Sequence, residues 1–206
     1  MPLPALESTL QSWLREQLPL PADVGDVSFD SPEATWGTSV TRPTVNLFLF
    51  EIARAAQQPL ALPPRRDAGG MLVRDPPAPA VSFSYLLSAW GGGVREEHRL
   101  LGDAVRAVLR SPSLLGDPAQ TGLVAPVQLA LSPPEPGRAR DLWSGLGSRL
   151  RASMVLVATT AVTLERPQPL APPVQRVEVD VVRSEPAVPR RFVWFGASRQ
   201  RERGRG

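Results

Sequence analysis

Proline sets the longest regular element this chain can form. Prolines cluster at 59–64, 76–79, 133–136, 167–173 and 186–189. Each one removes a backbone donor and fixes φ, so the clusters read as connections and the regular elements must fit between them. The chain has 24 prolines in 206 residues, too many for regularity throughout, and its length fits one domain with appendages. A hydrophobic content of 42% is enough to build a core.

Between the clusters the apolar periodicity changes from element to element. Leu6, Leu10, Trp13, Leu14 and Leu18 recur at helical spacing and Pro19 ends the run, which predicts an amphipathic N-terminal helix. Val27 and Phe29 mark a short strand. Residues 43–53, PTVNLFLFEIA, predict a strand that is apolar on both faces at Leu47–Phe50 and so central in a sheet. Arg65 and Arg66 fall near the tip of a proline- and glycine-rich excursion over 57–80, with a brief strand near 71–73. In VSFSYLLSAW, Val81, Phe83, Tyr85, Leu87 and Ala89 alternate against Ser82, Ser84 and Ser88, the pattern of a half-buried strand. Gly91–Gly93 lead into a second helix with Val94, His98, Leu101, Val105 and Val108 on one face, closed by Ser111-Pro112. A strand at Val127, Leu129 and Leu131, a short helix around 138–147 and the apolar run 153–164 complete the body. Val177, Val179 and Val181 form a last, exposed strand. The fold class is therefore α/β: a single domain with a mixed, largely antiparallel sheet packed with two main helices, plus a C-terminal extension. We divide it at 1–165 for the body and 166–206 for the proline-rich linker, exposed strand and basic aromatic extension.

The net charge of +3 is a property of that extension. Residues 184–206 carry six arginines against Glu185 and Glu202, and residues 1–183 carry seventeen against eighteen carboxylates. Without any lysine, the high pI of about 10.7 overstates a case for nucleic-acid binding by the body. The absence of cysteine excludes disulfides and thiolate metal sites. The first twenty residues lack the pattern of a signal peptide, and no run approaches the ~18 apolar residues of a membrane span. The expectation is a protein made and assembled in the cytoplasm, open to release with a larger particle, with no membrane partner.

Catalysis finds little to stand on. His98 is the only histidine, so no histidine pair can hold a metal, and no Ser-His-Asp elbow is present. We read His98 as a partly buried helix-face residue making one hydrogen bond. The Gly91–Gly93 run lies between a strand and a helix, but Glu96 and Glu97 at that helix start repel an anion, so it reads as a tight turn rather than a phosphate loop. Glu178 and Asp180 read as the solvated face of an edge strand. No catalytic, cofactor-binding or metal-binding residue is assigned, and no cofactor or small-molecule substrate is expected. The distinctive segment is Arg190, Arg191, Phe192, Val193, Trp194 and Phe195, an aromatic cluster behind an arginine pair. Tryptophan and arginine are enriched at binding hot spots, so these six residues are the candidate partner-binding site. An alternative is a nucleic-acid-binding module acting through the same arginine-rich tail.

VSFDSP at 27–32, PTVNLFLFEI, SFSYLLSAWG, EEHRLLGDAVRAVL and DLWSGLG, in that order, resemble the small cap (tail terminator) proteins of contractile injection systems, phage-tail-like particles. The resemblance covers approximately residues 5–165. It implies an α/β terminator fold, a ring of six copies, partners in the last tube and sheath layers, and no catalysis. It carries over no active-site residues. Leu47 and Phe48 would be core, Asn46 would tie a strand to a turn, and Leu100, Leu101 and Val105 would pack a helix on the sheet.

Overall fold

A computed structural model describes residues 3–115, 123–133, 135–164 and 168–170, all within a unit spanning Met1–Ala171. Helix α1 (Leu3–Gln17) buries Leu6, Leu10, Trp13 and Leu14 on one stripe. It stops where Pro19, with no N–H to give, follows the last helical bond from Leu18 N–H to Leu14 O. Strand β1 (Asp26–Ser28) and a single-turn helix α2 (Trp36–Ser39) precede the long strand β2 (Thr44–Arg54). The excursion then folds as β3 (Arg65–Arg66) and β4 (Leu72–Arg74) before β5 (Ala80–Trp90) returns along β2. Helix α3 (Val94–Arg110), β6 (Ser113–Leu114), β7 (Val127–Leu131), helix α4 (Arg138–Gly145), β8 (Ser153–Ala161) and β9 (Gln168–Pro169) follow.

Six strands make the main sheet in the order β1-β2-β5-β8-β7-β6. Only β1 lies parallel to its neighbour, and the other ladders are antiparallel. The two long apolar strands and β8 thus occupy the middle, where both faces can be covered. A smaller sheet, β3-β4-β9, forms at the excursion. Asp67 makes the tip by accepting the N–H groups of Gly69 and Met71, so Arg65 and Arg66 flank the tip on a strand rather than form it. Gln168–Pro169, in the segment read as linker, pairs with β4.

The first face of the sheet carries the main core. Val45, Leu47, Phe83, Tyr85, Leu87, Leu129, Leu156 and Ala158 meet the buried stripes of α1 and α3 there. On α3 the buried residues are Leu100, Ala104, Ala107 and Val108. Leu101 and Val105 are half-buried, Val94 is 66% exposed and His98 is exposed. The predicted stripe was therefore rotated toward the larger side chains. Alanines face the sheet because their small Cβ lets helix and strands approach closely, a preference hydrophobicity alone does not rank.

The second face corrects another expectation. Ser84 and Ser88 were read as the solvent side of β5, yet they are 7% and 0% exposed. The alternation is real, but the alternate face is roofed by α2 and α4, whose Trp36, Trp143, Leu142 and Leu146 pack with Leu86, Trp90, Phe48 and Phe50. The serines survive burial because each is hydrogen-bonded: Trp90 Nε1–H donates to Ser88 Oγ at 2.9 Å and Ser84 Oγ donates to Glu51 Oε2 at 3.2 Å. Strand 177–181 and the tail, Arg190 to Phe195 included, lie outside the described residues.

Candidate interaction surface

No group of three or more metal-ligating side chains occurs among the described residues. Around Gly91–Gly93 the geometry is that of a turn. All three glycines have positive φ, at 90°, 72° and 91°. A Cβ on Gly91 would lie 3.0 Å from the Arg42 carbonyl oxygen, backbone that cannot step aside. The carboxylates that follow are engaged. Glu96 pairs with Arg99 at 2.6 Å, whose hydrogen bond holds the Glu96 carboxyl below its ordinary value. Glu97 pairs with Arg151, whose guanidinium lies 4.1 Å from the centroid of the Trp90 ring.

Asn46 does what the resemblance implied. It is fully buried on β2, and its Nδ2 donates to the Asp30 carbonyl at 3.0 Å, tying the strand to the turn after β1. Tyr85 is fully buried on the first face, and its hydroxyl has no hydrogen-bond partner among the described residues. Burial first, and the nearby Glu7 charge second, push its ionisation upward, so it stays a neutral phenol.

The second face is the more distinctive surface. Trp36, Trp90 and Trp143 converge, with centroids 4.9 Å apart for the first pair and 6.1 Å for the second. A β-bulge between Leu49 and Glu51 turns both Phe50 and Glu51 toward this side. Arg138, from the first turn of α4, bridges Glu51 at 3.1 Å and Glu135 at 2.7 Å and lies 5.3 Å from the Phe50 ring. Beside it opens a groove of about 550 Å³, floored by Phe48, Leu142 and Leu146 and rimmed by Glu135, Arg138 and Asp141. Such a surface has the shape for an apolar side chain and the charge for a basic neighbour. Sequence reading missed it, although the tryptophans of SAWG and DLWSGLG were visible markers.

Comparison with known proteins places this architecture. The profile of the Pvc16 N-terminal domain family matches residues 5–176. The sheath/tube terminator, in the extended state, of an extracellular contractile injection system (PVC) superposes with a TM-score of 0.61 at 23% identity, over 87% of this chain and 63% of that one. The tube-terminating cap of the anti-feeding prophage gives 0.58 at 20% identity, over 85% and 60%. The chain thus spans about three fifths of the length of these two proteins. Among curated proteins none matches the sequence significantly.

Proposed function

We propose, since this chain belongs to the Pvc16 N-terminal domain family, that it is a structural cap subunit that ends the tube and sheath of a contractile injection system. The observation that carries this reading is the shared fold with a sheath/tube terminator and a tube-terminating cap over more than four fifths of this chain.

A tube grows because each layer presents the surface that binds the next. A terminator matches the last layer on one side and offers no propagating surface on the other. Copies of the chain would close into a ring, six by the resemblance, through heterologous contacts whose rotation returns on itself. The work is done by shape and charge, not by chemistry. Arg190 to Phe195 would anchor the cap to a neighbouring subunit, and assembly would take place in the cytoplasm.

Deleting the gene tests the reading. Electron micrographs of lysates should show tubes or sheaths of uncontrolled length or poor stability, restored by the gene in trans. A normal length distribution with a normally finished end would refute the terminator role.

A further inference from the structure

Among the described residues, strand β2 is unpaired along most of one side. Strand β1 covers only Thr44–Asn46, and beyond it the register leaves Leu47 to Arg54 with β5 on one flank and no strand on the other among the described residues. No backbone hydrogen bond reaches this flank from a described loop. Natural edges of this length are blunted by proline, charge or brevity. This one is apolar over Leu47 to Phe50 and carries charge only at Glu51 and Arg54 in its second half, where Ile52 is 45% exposed. The groove beneath α4 opens beside the same edge, since Phe48 belongs to both. An added strand would gain backbone hydrogen bonds from β2 and set every second side chain over Phe48, Leu142 and Leu146.

Charge narrows what can lie there. Glu51, Glu135 and Asp141 stand around the groove against Arg138 alone, so a basic pair beside the apolar residues is favoured. Arg54 closes the far end of the edge and keeps that pair at the groove end.

We propose that this open edge and its groove receive Arg190–Phe195 of a second copy of the chain. The arginine pair directly precedes the apolar run, and a period of two puts Phe192 and Trp194 on one face. Six extended residues span ~20 Å, against ~26 Å for the eight open residues of β2. The inference takes from the proposed function only that copies of the chain adjoin one another.

The chain has no cysteine, so introduced ones report without background. Full-length Ile52→Cys, carrying a size tag, is mixed with untagged full-length Val193→Cys. The mixture is treated with a thiol crosslinker of about 8 Å, long enough for directly opposite and diagonal neighbours in a strand pair. The free chains and particles assembled from both variants are compared. Docking raises the effective concentration of the two thiols, so the tagged–untagged product should exceed that of an Arg110→Cys control about tenfold. Adding Glu135→Arg and Asp141→Arg to the tagged copy should remove most of this excess. Product at control level in both preparations overturns the proposal. Crosslinking only within a chain that carries both cysteines overturns the assignment to a second copy. Shielding of Ile52→Cys on particles without any tail product gives the edge to another particle protein, and also overturns it. Gene-deletion micrographs stand apart from all these outcomes, so the cap reading and this contact can fail separately.

Discussion

Trp143→Ala probes how the second face is held. Helix α4 has eight residues and one buried side chain, Trp143, which is 0% exposed and whose Nε1–H donates to Ser153 Oγ at 3.0 Å. Removing the indole exposes or empties about 200 Å² of apolar contact, ~5 kcal/mol by area. Large aromatic-to-alanine changes in relaxed cores cost ~3–5 kcal/mol. The lost hydrogen bond lies at the low end of its range because Ser153 Oγ also bonds the Arg151 carbonyl at 3.3 Å. If α4 unfolds together with the sheet, the melting temperature should fall by about 2–4 °C per kcal/mol, ~6–20 °C in total. Should α4 detach locally instead, the melting point would move little, but amide exchange over 138–146 would accelerate by two or more orders of magnitude, ~3 kcal/mol of protection. Thermal unfolding and hydrogen exchange on the same variant separate the two cases. A melting point within about 2 °C of the parent together with unchanged exchange over α4 would show that Trp143 does not hold the roof, and the reasoning from burial would be wrong.

Four smaller tests accompany it. Gly91→Ala should cost ~1–3 kcal/mol in urea unfolding, since φ is 90° and the added Cβ meets the Arg42 carbonyl oxygen. Glu7, whose carboxyl burial pushes above its ordinary value of 4.5, makes a contribution that is most favourable at low pH and lost as pH rises through the raised value. Glu7→Gln should therefore be neutral or stabilising at pH 7 and flatten the stability profile just above pH 4.5, which denaturant melts across pH will show. His98→Ala should change stability by no more than ~0.5 kcal/mol and leave assembled particles intact, because the side chain is exposed on α3. Gel-shift titration with DNA and RNA should give only weak, salt-sensitive binding without sequence preference, since the excess of positive charge is confined to residues 184–206; sub-micromolar selective binding would instead favour the nucleic-acid reading.

Periodicity made α1, β2, β5, α3, β7 and α4 legible within a few residues, because the spacing of apolar side chains is written locally. The proline clusters placed the excursion between β2 and β5 equally well. Short elements were less visible: α2 and β6 span four and two residues, too few to carry a period. The surface beneath α4 escaped because it draws Phe48 and Phe50 from β2, Trp90 from β5, Leu142 from α4 and Leu146 from its C-cap, segments whose convergence no local pattern announces.

By itself, then, the sequence determined which stretches can be strands or helices, that the net positive charge sits at the C-terminal end, and that the chain has a single histidine and no cysteine. Tertiary structure alone decided that β1 joins in parallel, that α3 turns its alanines inward, that Ser84 and Ser88 lie under a roof, and that among the described residues no strand pairs the second flank of β2 beyond Asn46. The reason is physical. Backbone preference is set by neighbours a few bonds away, whereas burial and strand partnership depend on residues far apart in the chain. Glu51 and Arg138, or Trp90 and Trp143, acquire their roles only once the sheet has closed between them.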